Sequence, residues 1–540
     1  MILLLLAAGQ RTTGKSDPVS APAARIIVDN TADAGPGSLR QAIIDADLNL
    51  GPDTIAFAIP GTDAGFDSTT GVWTIRPATA LPVISGEGLV IDGRTQAEFA
   101  GEDANPLGPE IELDGTNAGP TSAGLMVMGD GIRILHLAIN RFGGSGIWVY
   151  GASWGTIAGC YLGTDPSGLS AAGNLFGVQL DGGSHHVHLV PLDTIPNVLC
   201  GNTIAGITMN DSSSHNTVLG NLIGIRSDRS DTLGNGLAGI SILNDSDSNE
   251  VLDSWIGGSA SGVDIGGANG TIIVNNFIGT SPGWQSQFGN TEQGLFIRAG
   301  SSYTRVHENL IGYSSGFGVL LSDSSSIYNF ISGNSIAHNT LQGIYLRRGA
   351  NQDVAAPVIL SATPNQMTGT ASAGDTVECF ADQDDEGEIY VGTAVADGSG
   401  HFSLNLAQPI PPLGYVTATA RDASGNTSAF SDPFSYTPTS VGSGTTIPRE
   451  FSLSQNYPNP FNPLTVIRFD LPERSRTRLE VFDALGRSVG LPVDRELEGG
   501  YHEAVFSAEK LSSGIYLYRL TAATVDGRSF SFARKMVFVR

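Results

Sequence analysis

The sequence predicts an all-β protein: a right-handed parallel β-helix followed by two immunoglobulin-like β-sandwiches. Three observations carry this. Glycine makes up 70 of 540 residues, only 15% are charged, and lysine occurs only at Lys15, Lys510 and Lys535, a composition of many turns and few long amphipathic helices. A strand motif, Gly-[Ile/Val/Leu]-x-[Ile/Leu/Val/Met], recurs at Gly146, Gly177, Gly206, Gly239, Gly262, Gly294, Gly318 and Gly343. Beyond residue 350 that recurrence stops, and strands of period-two alternation take over.

Residues 1–25 read as a secretory signal peptide and mature N-terminus. Ile2 to Ala8 is an apolar run with Ala7-Ala8-Gly9 behind it and no basic residue before it, the short form of a signal core. Residues 26–123 read as an N-terminal cap and irregular first coils. Within them Gly37 to Ala46 carries Ser38 as a helix N-cap and Gln41 three residues on, the spacing of a capping box. The short helix that follows is suited to cover the open end of a core. The segments Val90-Ile-Asp-Gly and Ile111-Glu-Leu-Asp-Gly fit first coils.

Residues 124–350 hold the repeat. A second strand, roughly Asn-x-Ile-Gly, occurs at Asn221, Asn276 and Asn309, with variants at Cys160, Asn202, Ser254 and Asn334. A third lies between, as in Asn216-Thr-Val-Leu, Asn249-Glu-Val-Leu and Thr271-Ile-Ile-Val. Three short strands per turn with a shortest period of 23 to 25 residues describe coils that bury their apolar faces only by stacking. The step from Gly-strand to Asn-strand is 14 to 16 residues, except from Gly177 to Asn202. The return step varies, which puts three long loops, Gly163 to Phe176, Gly224 to Ala238 and Gly279 to Gln293, at one corner. The recurring asparagines read as an internal ladder, because asparagine tolerates a left-handed corner and bonds the neighbouring backbone.

Residues 356–436 read as a separate module of strands, among them Thr376-Val-Glu-Cys-Phe, His401-Phe-Ser-Leu-Asn-Leu and Tyr415-Val-Thr-Ala-Thr-Ala. This module resembles the bacterial immunoglobulin-like domains found beside surface solenoids. The entry Ser38-Leu-Arg-Gln-Ala-Ile likewise resembles that of bacterial surface β-helix proteins. Residues 437–449 are a Ser/Thr/Gly/Pro linker.

Residues 450–540 contain, in order, Asn-Tyr-Pro-Asn-Pro-Phe-Asn-Pro (Asn456, Pro458, Asn459, Pro460, Phe461, Asn462, Pro463), Thr465-Val-Ile-Arg-Phe-Asp-Leu-Pro, Leu479-Glu-Val-Phe-Asp-Ala-Leu-Gly-Arg, Gly514-Ile-Tyr-Leu-Tyr (with Tyr516) and Lys535-Met-Val-Phe-Val-Arg. This set resembles the C-terminal sorting domain of type IX secretion cargo (Por, type A) and the immunoglobulin-like domain of flagellar hook-capping proteins. The resemblance implies type IX secretion machinery as a partner. It also implies Sec export followed by release or outer-membrane surface attachment. No stretch is long enough to span a bilayer as a helix.

Formal charge is -25. From Arg449 onward there are 13 basic and 11 acidic residues, which leaves 15 basic against 42 acidic upstream. So acidic a body repels phosphate backbones, and nucleic acid is excluded as a partner. Cys160 and Cys200 fall in adjacent coils about two residues out of register, which places them about 8 Å apart by strand spacing, beyond disulfide reach. They and Cys379 are expected as free thiols.

β-Helices of the pectin-lyase-like fold include polysaccharide lyases and glycoside hydrolases, but the fold alone does not transfer activity. The chain has neither an Asn-Thr-Asp with following Asp-Asp and His-Gly, nor an Arg-x-Pro-x-x-Arg. On the Gly-strands, side chains two and four residues after the glycine should point outward. They present Trp148, Tyr150, Asp181, Asp264, Phe296, Arg298, Tyr345 and Arg347 as candidate ligand-binding residues. Aromatics beside polar groups suit extracellular polysaccharide; scattered surface residues are the plain alternative. The two carboxylates lie three coils apart, about 14 Å, too far for a glycosidase pair, so a loop carboxylate such as Asp165 or Asp228 would have to complete one. Asp382, Asp384, Glu386 and Glu388 alternate before and after a glycine in a manner open to Ca2+ or to a solvated hairpin. His185, His186 and His188, with Asp193, are open to a metal or to a polar loop. The reading is an exported binding, adhesion or structural protein; a lyase or hydrolase is the alternative. Three close carboxylates, or a carboxylate and arginine cluster on one face, would favour the alternative.

Overall fold

The computed structural model describes residues 23–49, 51–436, 448, 450–456, 461, 464–483, 486–508, 511–512, 514–524 and 528–538. The signal-peptide and linker expectations lie essentially outside them.

Three sheets run the length of a right-handed parallel β-helix. The first has 11 strands, from Arg25–Val28 to Phe330–Ser332; the second has 9, from Leu125–Val127 to Ile344–Arg347, and contains the Gly-strands; the third has 11, ending at Ser335–Ala337. Pairing is parallel except where Phe66–Asp67 meets Val72–Ile75 at the start of the third sheet. Each coil contributes inward side chains such as Ile240, Ile242, Val251 and Ile256, all fully buried in one continuous core. Burying each such side chain contributes about 1.5–3 kcal/mol.

The Gly-strand glycines follow from coil-to-coil contact. A Cβ on Gly177 would lie 2.5 Å from the carbonyl oxygen of Gly206, and one on Gly239 would lie 2.7 Å from that of Gly262 and 2.9 Å from Ile256 Cγ2. The column therefore excludes side chains without requiring an unusual backbone.

Asparagines form ladders inside three corners. In one, the backbone N–H of Ser254 donates to Asn276 Oδ1, that of Asn276 to Asn309 and that of Asn309 to Asn334, at 2.9, 2.9 and 3.1 Å. Register corrects one assignment. Tyr161 pairs with Val198 and Leu162 with Leu199, so Asn197, not Asn202, continues this ladder from Cys160. Asn202 belongs to a second ladder with Asn174 and Asn235. That ladder includes Asn174 and Asn235, which lie near the ends of the first two long loops. Asn216, whose N–H donates to Asn249, belongs to the third. The same register sets Cys200 three residues from Cys160, rather than two. Both thiols are free, buried and pushed up to about 12 by burial, as is Cys379.

Both ends of the core are covered. At the N-terminal end lies the helix Leu39–Leu48, whose Leu39, Ala42, Ile43 and Ala46 are buried in the core. Ser38 caps it by accepting from Gln41 N, but the return half of the capping box is not made, because Gln41 Nε2 donates to Asp45 instead. At the other end lies the immunoglobulin-like module. Its sheets are Val358–Thr363, Gln366–Thr370 and His401–Asn405, and Ile389–Val395, Thr376–Asp382, Gly414–Arg421 and Phe434–Tyr436. It continues the hydrogen bonding of the last coil: Gly387 bridges Ile336, Ile331 N donates to Thr427 Oγ1 at 2.9 Å, and Tyr328 N donates to Asn426.

The C-terminal unit is a second sandwich with its own core, including Phe469, Leu479, Val481, Tyr518 and Phe538. Its sheets have three and four strands, the longest being Gly514–Thr524.

Candidate functional site

The outward column of the Gly-strands is in register from coil to coil: Trp148 beside Gln179, then Thr208, Ser241, Asp264, Phe296, Leu320 and Tyr345. The side chains form two patches rather than one groove. In the first, Trp148 Nε1 donates to Asp181 Oδ2 at 3.2 Å, Gln179 Nε2 donates to the same oxygen, and Tyr150 meets Trp148 edge-on at 6.0 Å. Asp181 is buried, and its Oδ1 accepts no hydrogen bond among the described residues. In the second, Arg298 forks onto Asp264 at 2.9 and 2.8 Å and lies 5.5 Å from the Phe296 ring centroid. The hydrogen bonds to Asp264 hold the Arg298 guanidinium above its ordinary value. Tyr345 stacks on Phe317 at 4.6 Å, and Arg347 is exposed beside Ser322. Between the patches Thr208 and Ser241 are buried.

The two loop carboxylates expected to complete a pair are engaged within their own loops. Asp165 accepts from Ser167, Leu169 and Ser170 of its own loop, and Asp228 from Ser230. The first two loops pack on each other, Ser227 Oγ donating to the Ser167 carbonyl at 2.7 Å.

The acidic segment Asp382 to Glu388 does not gather its carboxylates around one point. Asp382 accepts from the N–H groups of Asp384 and Glu388, at 2.6 and 2.7 Å. Glu386 turns to the last coil and accepts from Asn339 N and Nδ2, both at 2.9 Å. Backbone contact with the solenoid end, which alternation of acidic residues cannot reveal, sets these directions. Among the described residues no group of three or more His, Cys, Asp or Glu is arranged to hold a metal ion.

The histidines are likewise redirected. Ser153 Oγ bonds His185 Nδ1 at 2.7 Å, while His186 lies between Trp154 and His215, stacked at 4.1 and 5.5 Å. Burial, then His185, His215 and His188, push the His186 imidazole below its ordinary value. This corner stack was legible only as a spacing, eight to ten residues after each strand glycine.

A polar cluster that sequence reasoning missed lies on the outer face of the third sheet. Glu112 accepts from Thr74 and Asn140, each at 2.8 Å, and from Arg141 at 3.1 Å. Asp114 accepts from Arg76 at 3.2 Å and from Thr116. Arg76 and Arg141 are about half exposed. Strand alternation places Glu112 and Asp114 on one face; the partners come from adjacent coils, and only register brings them in.

In the C-terminal unit Asn456 is buried, its N–H donating to the Tyr518 hydroxyl at 2.7 Å and its Nδ2 to Thr465 at 2.9 Å. Phe461 is buried and bridges Phe538, Tyr516 donates to the Ser512 carbonyl, and the Lys535 carbonyl accepts from Gln455. Gly514 opens its strand. Pro458, Asn459, Pro460, Asn462 and Pro463 lie outside the described residues.

Comparison with known proteins agrees with this architecture. Residues 354–434 match the model of a bacterial Ig domain, and residues 455–528 that of a secretion system C-terminal sorting domain. No curated protein matches. Among solved structures, the A-module of the Azotobacter vinelandii mannuronan C-5 epimerase is 13% identical, with 55% of this chain and 82% of that one covered and a TM-score of 0.38. The pectate lyase Pel9A is 14% identical, with 60% and 76% covered and a TM-score of 0.31. An alginate lyase from a Paenibacillus species is 16% identical, with 60% and 98% covered and a TM-score of 0.25. These likenesses concern fold alone. No helix among the described residues is long and apolar enough to cross a membrane. The chain is an exported β-helix protein, carried by Sec and type IX secretion to the cell surface or beyond.

Proposed function

We propose that the solenoid binds extracellular polysaccharide, in an adhesive or structural role, through the two aromatic patches of its Gly-strand face. The observation that carries this is the Trp148–Tyr150 pair: Tyr150 is 41% exposed, and a buried carboxylate anchors the indole that it meets edge-on. A fixed aromatic platform gives a sugar ring a flat apolar face at low entropic cost. The far patch supplies Phe317–Tyr345 with exposed Arg347 beside it. Trp148 and Tyr345 are seven coils apart, about 33 Å by strand spacing, so one ligand reaches both only if it is a polymer. Trp148→Ala and Tyr345→Ala should each weaken polysaccharide retention several-fold without altering the circular-dichroism melt. Equal retention of wild type and both variants on a glycan array would remove the face from consideration.

A second reading, cleavage of polysaccharide, is favoured by one observation, the Glu112–Asp114–Arg76–Arg141 cluster. Its carboxylates are already saturated by donors, which suits positioning of the arginines better than proton transfer. An assay for reducing ends and unsaturated products across neutral and acidic polysaccharides decides: product formation that Glu112→Gln abolishes would make this the function.

A further inference from the structure

We propose a second carbohydrate site: a strip of ring faces along the corner that follows the Gly-strands, taking a neutral glycan chain. It rests on the reading that the solenoid contacts polysaccharide, and assigns a surface and a ligand class which that reading does not contain.

The strip is one position repeated coil after coil. Trp154, His186 and His215 occupy it in three successive coils, and Tyr303 and Tyr328 in two later ones, stacked at 5.0 Å. Register is set by the parallel bridges Ser153–His185 and His185–Ser214 and by backbone bonds such as Trp154 N to the His185 carbonyl and Tyr303 N to the Ile327 carbonyl. All five have positive φ, from 56° at His186 to 62° at Trp154. In this region Cβ crowds the backbone, and bulky side chains are rare there. The neighbouring corner column shows the economical solution: Gly151, Gly182, Asp211, Asn244 and Gly267 have the same left-handed backbone and are small. The ring column departs from that in five coils. Strain of this kind gathers at binding surfaces.

The rings are also on the outside. Trp154 and Tyr303 are each 59% exposed. Glycine leaves ring faces open: Gly131, whose N–H donates to the Ser153 carbonyl, is the coil neighbour of Trp154, and Gly270 that of Tyr303. Between His215 and Tyr303 only Ser248 and Gly270 intervene, so two ring faces look along the axis across three coil steps, about 14 Å. The rings offer stacking area without fixed charge, and the acidic body around them disfavours uronate polymers. A pyranose chain with uncharged hydroxyls and C–H faces matches both.

The test uses the full chain in affinity electrophoresis through gels containing glucomannan, xyloglucan, polygalacturonate or alginate. Retardation is expected in the neutral glycans and not in the acidic ones. The informative variants are Trp154→Asn and Tyr303→Asn, because asparagine accepts the left-handed backbone. Both should melt at or above the wild-type temperature while the double variant loses at least about ten-fold in retardation, the scale expected when stacked sugar rings lose their platforms. Unchanged retardation in the double variant overturns the proposal, as does retardation by the acidic polymers alone. A fall in melting temperature with retardation intact makes the column a structural stack, and likewise overturns it. Trp148→Ala separates the two readings: if it abolishes retardation while the asparagine variants do not, the Gly-strand face stands and the corner falls. A wild-type chain that no glycan retards brings down both.

Discussion

The Glu386 carboxyl is pushed up to about 8, from an ordinary 4.5, by burial against the last coil; the N–H groups of Asn339 pull the other way, and Asp382 and Asp385 push further. The sign of the consequence follows from linkage. Between pH 4.5 and about 8 the unfolded chain has lost this proton and the folded chain keeps it, so stability falls as pH rises through that window. Below it both states are protonated and no penalty is felt. Asp382 and Asp385, also raised by burial, add to the slope at its acid end. Glu386→Gln should therefore flatten the dependence of the solenoid melting temperature on pH from 5 to 8, so that its melting temperature gains on wild type steadily toward the alkaline end. Parallel curves for wild type and variant would mean that the buried carboxyl is ionised when folded.

At the scale of elements, the glycine column and the asparagine ladders were both legible, and for the same reason. A solenoid repeats each steric demand once per coil, so a local requirement becomes a written period. Where an insertion breaks the period, legibility fails: the bridge between Leu192 and Ile195 lengthens one coil, and the spacing then pointed to Asn202 when Asn197 fills the position. The outward face was legible in register but not in chemistry. Alternation places Asp264 and Arg298 outside; it cannot say that they are paired with each other. The orientation of the acidic loop was hidden for a related reason, since the atoms that orient Glu386 belong to Asn339, 47 residues earlier. Asn276 tests the ladder account. Its Oδ1 accepts from Ser254 N, and its Nδ2 donates to the Val251 carbonyl at 2.8 Å. Asn276→Ala strands a buried N–H and a buried carbonyl, and should cost the solenoid roughly 1–3 kcal/mol per unsatisfied group. Asn275→Gly, one residue away on the exposed side of the corner where φ is 56°, should cost far less, and equal losses in denaturant titrations would show that the ladder adds nothing.

At the scale of the whole molecule, the division of charge matches the division of labour. The body carries the acidic excess and the tail is close to neutral, with 13 basic against 11 acidic residues. The two units have separate hydrophobic cores. The body is closed at both ends by its own residues, the helix Leu39–Leu48 at one and the immunoglobulin-like module at the other. It therefore has no need of the sorting domain to bury its last coil. Deleting Phe451 to Arg540 should leave a folded solenoid whose melt is unchanged, held in the periplasm because the export signal is gone. Fractionation of cells expressing the truncated chain checks the second half, and circular dichroism of the purified product checks the first. Normal delivery of the truncated chain to the surface would place the export information in the body. A lowered melt with export lost would mean that the tail also supports the fold. Retention with an unchanged melt is the outcome that two separate cores require, because stability then resides in one and address in the other.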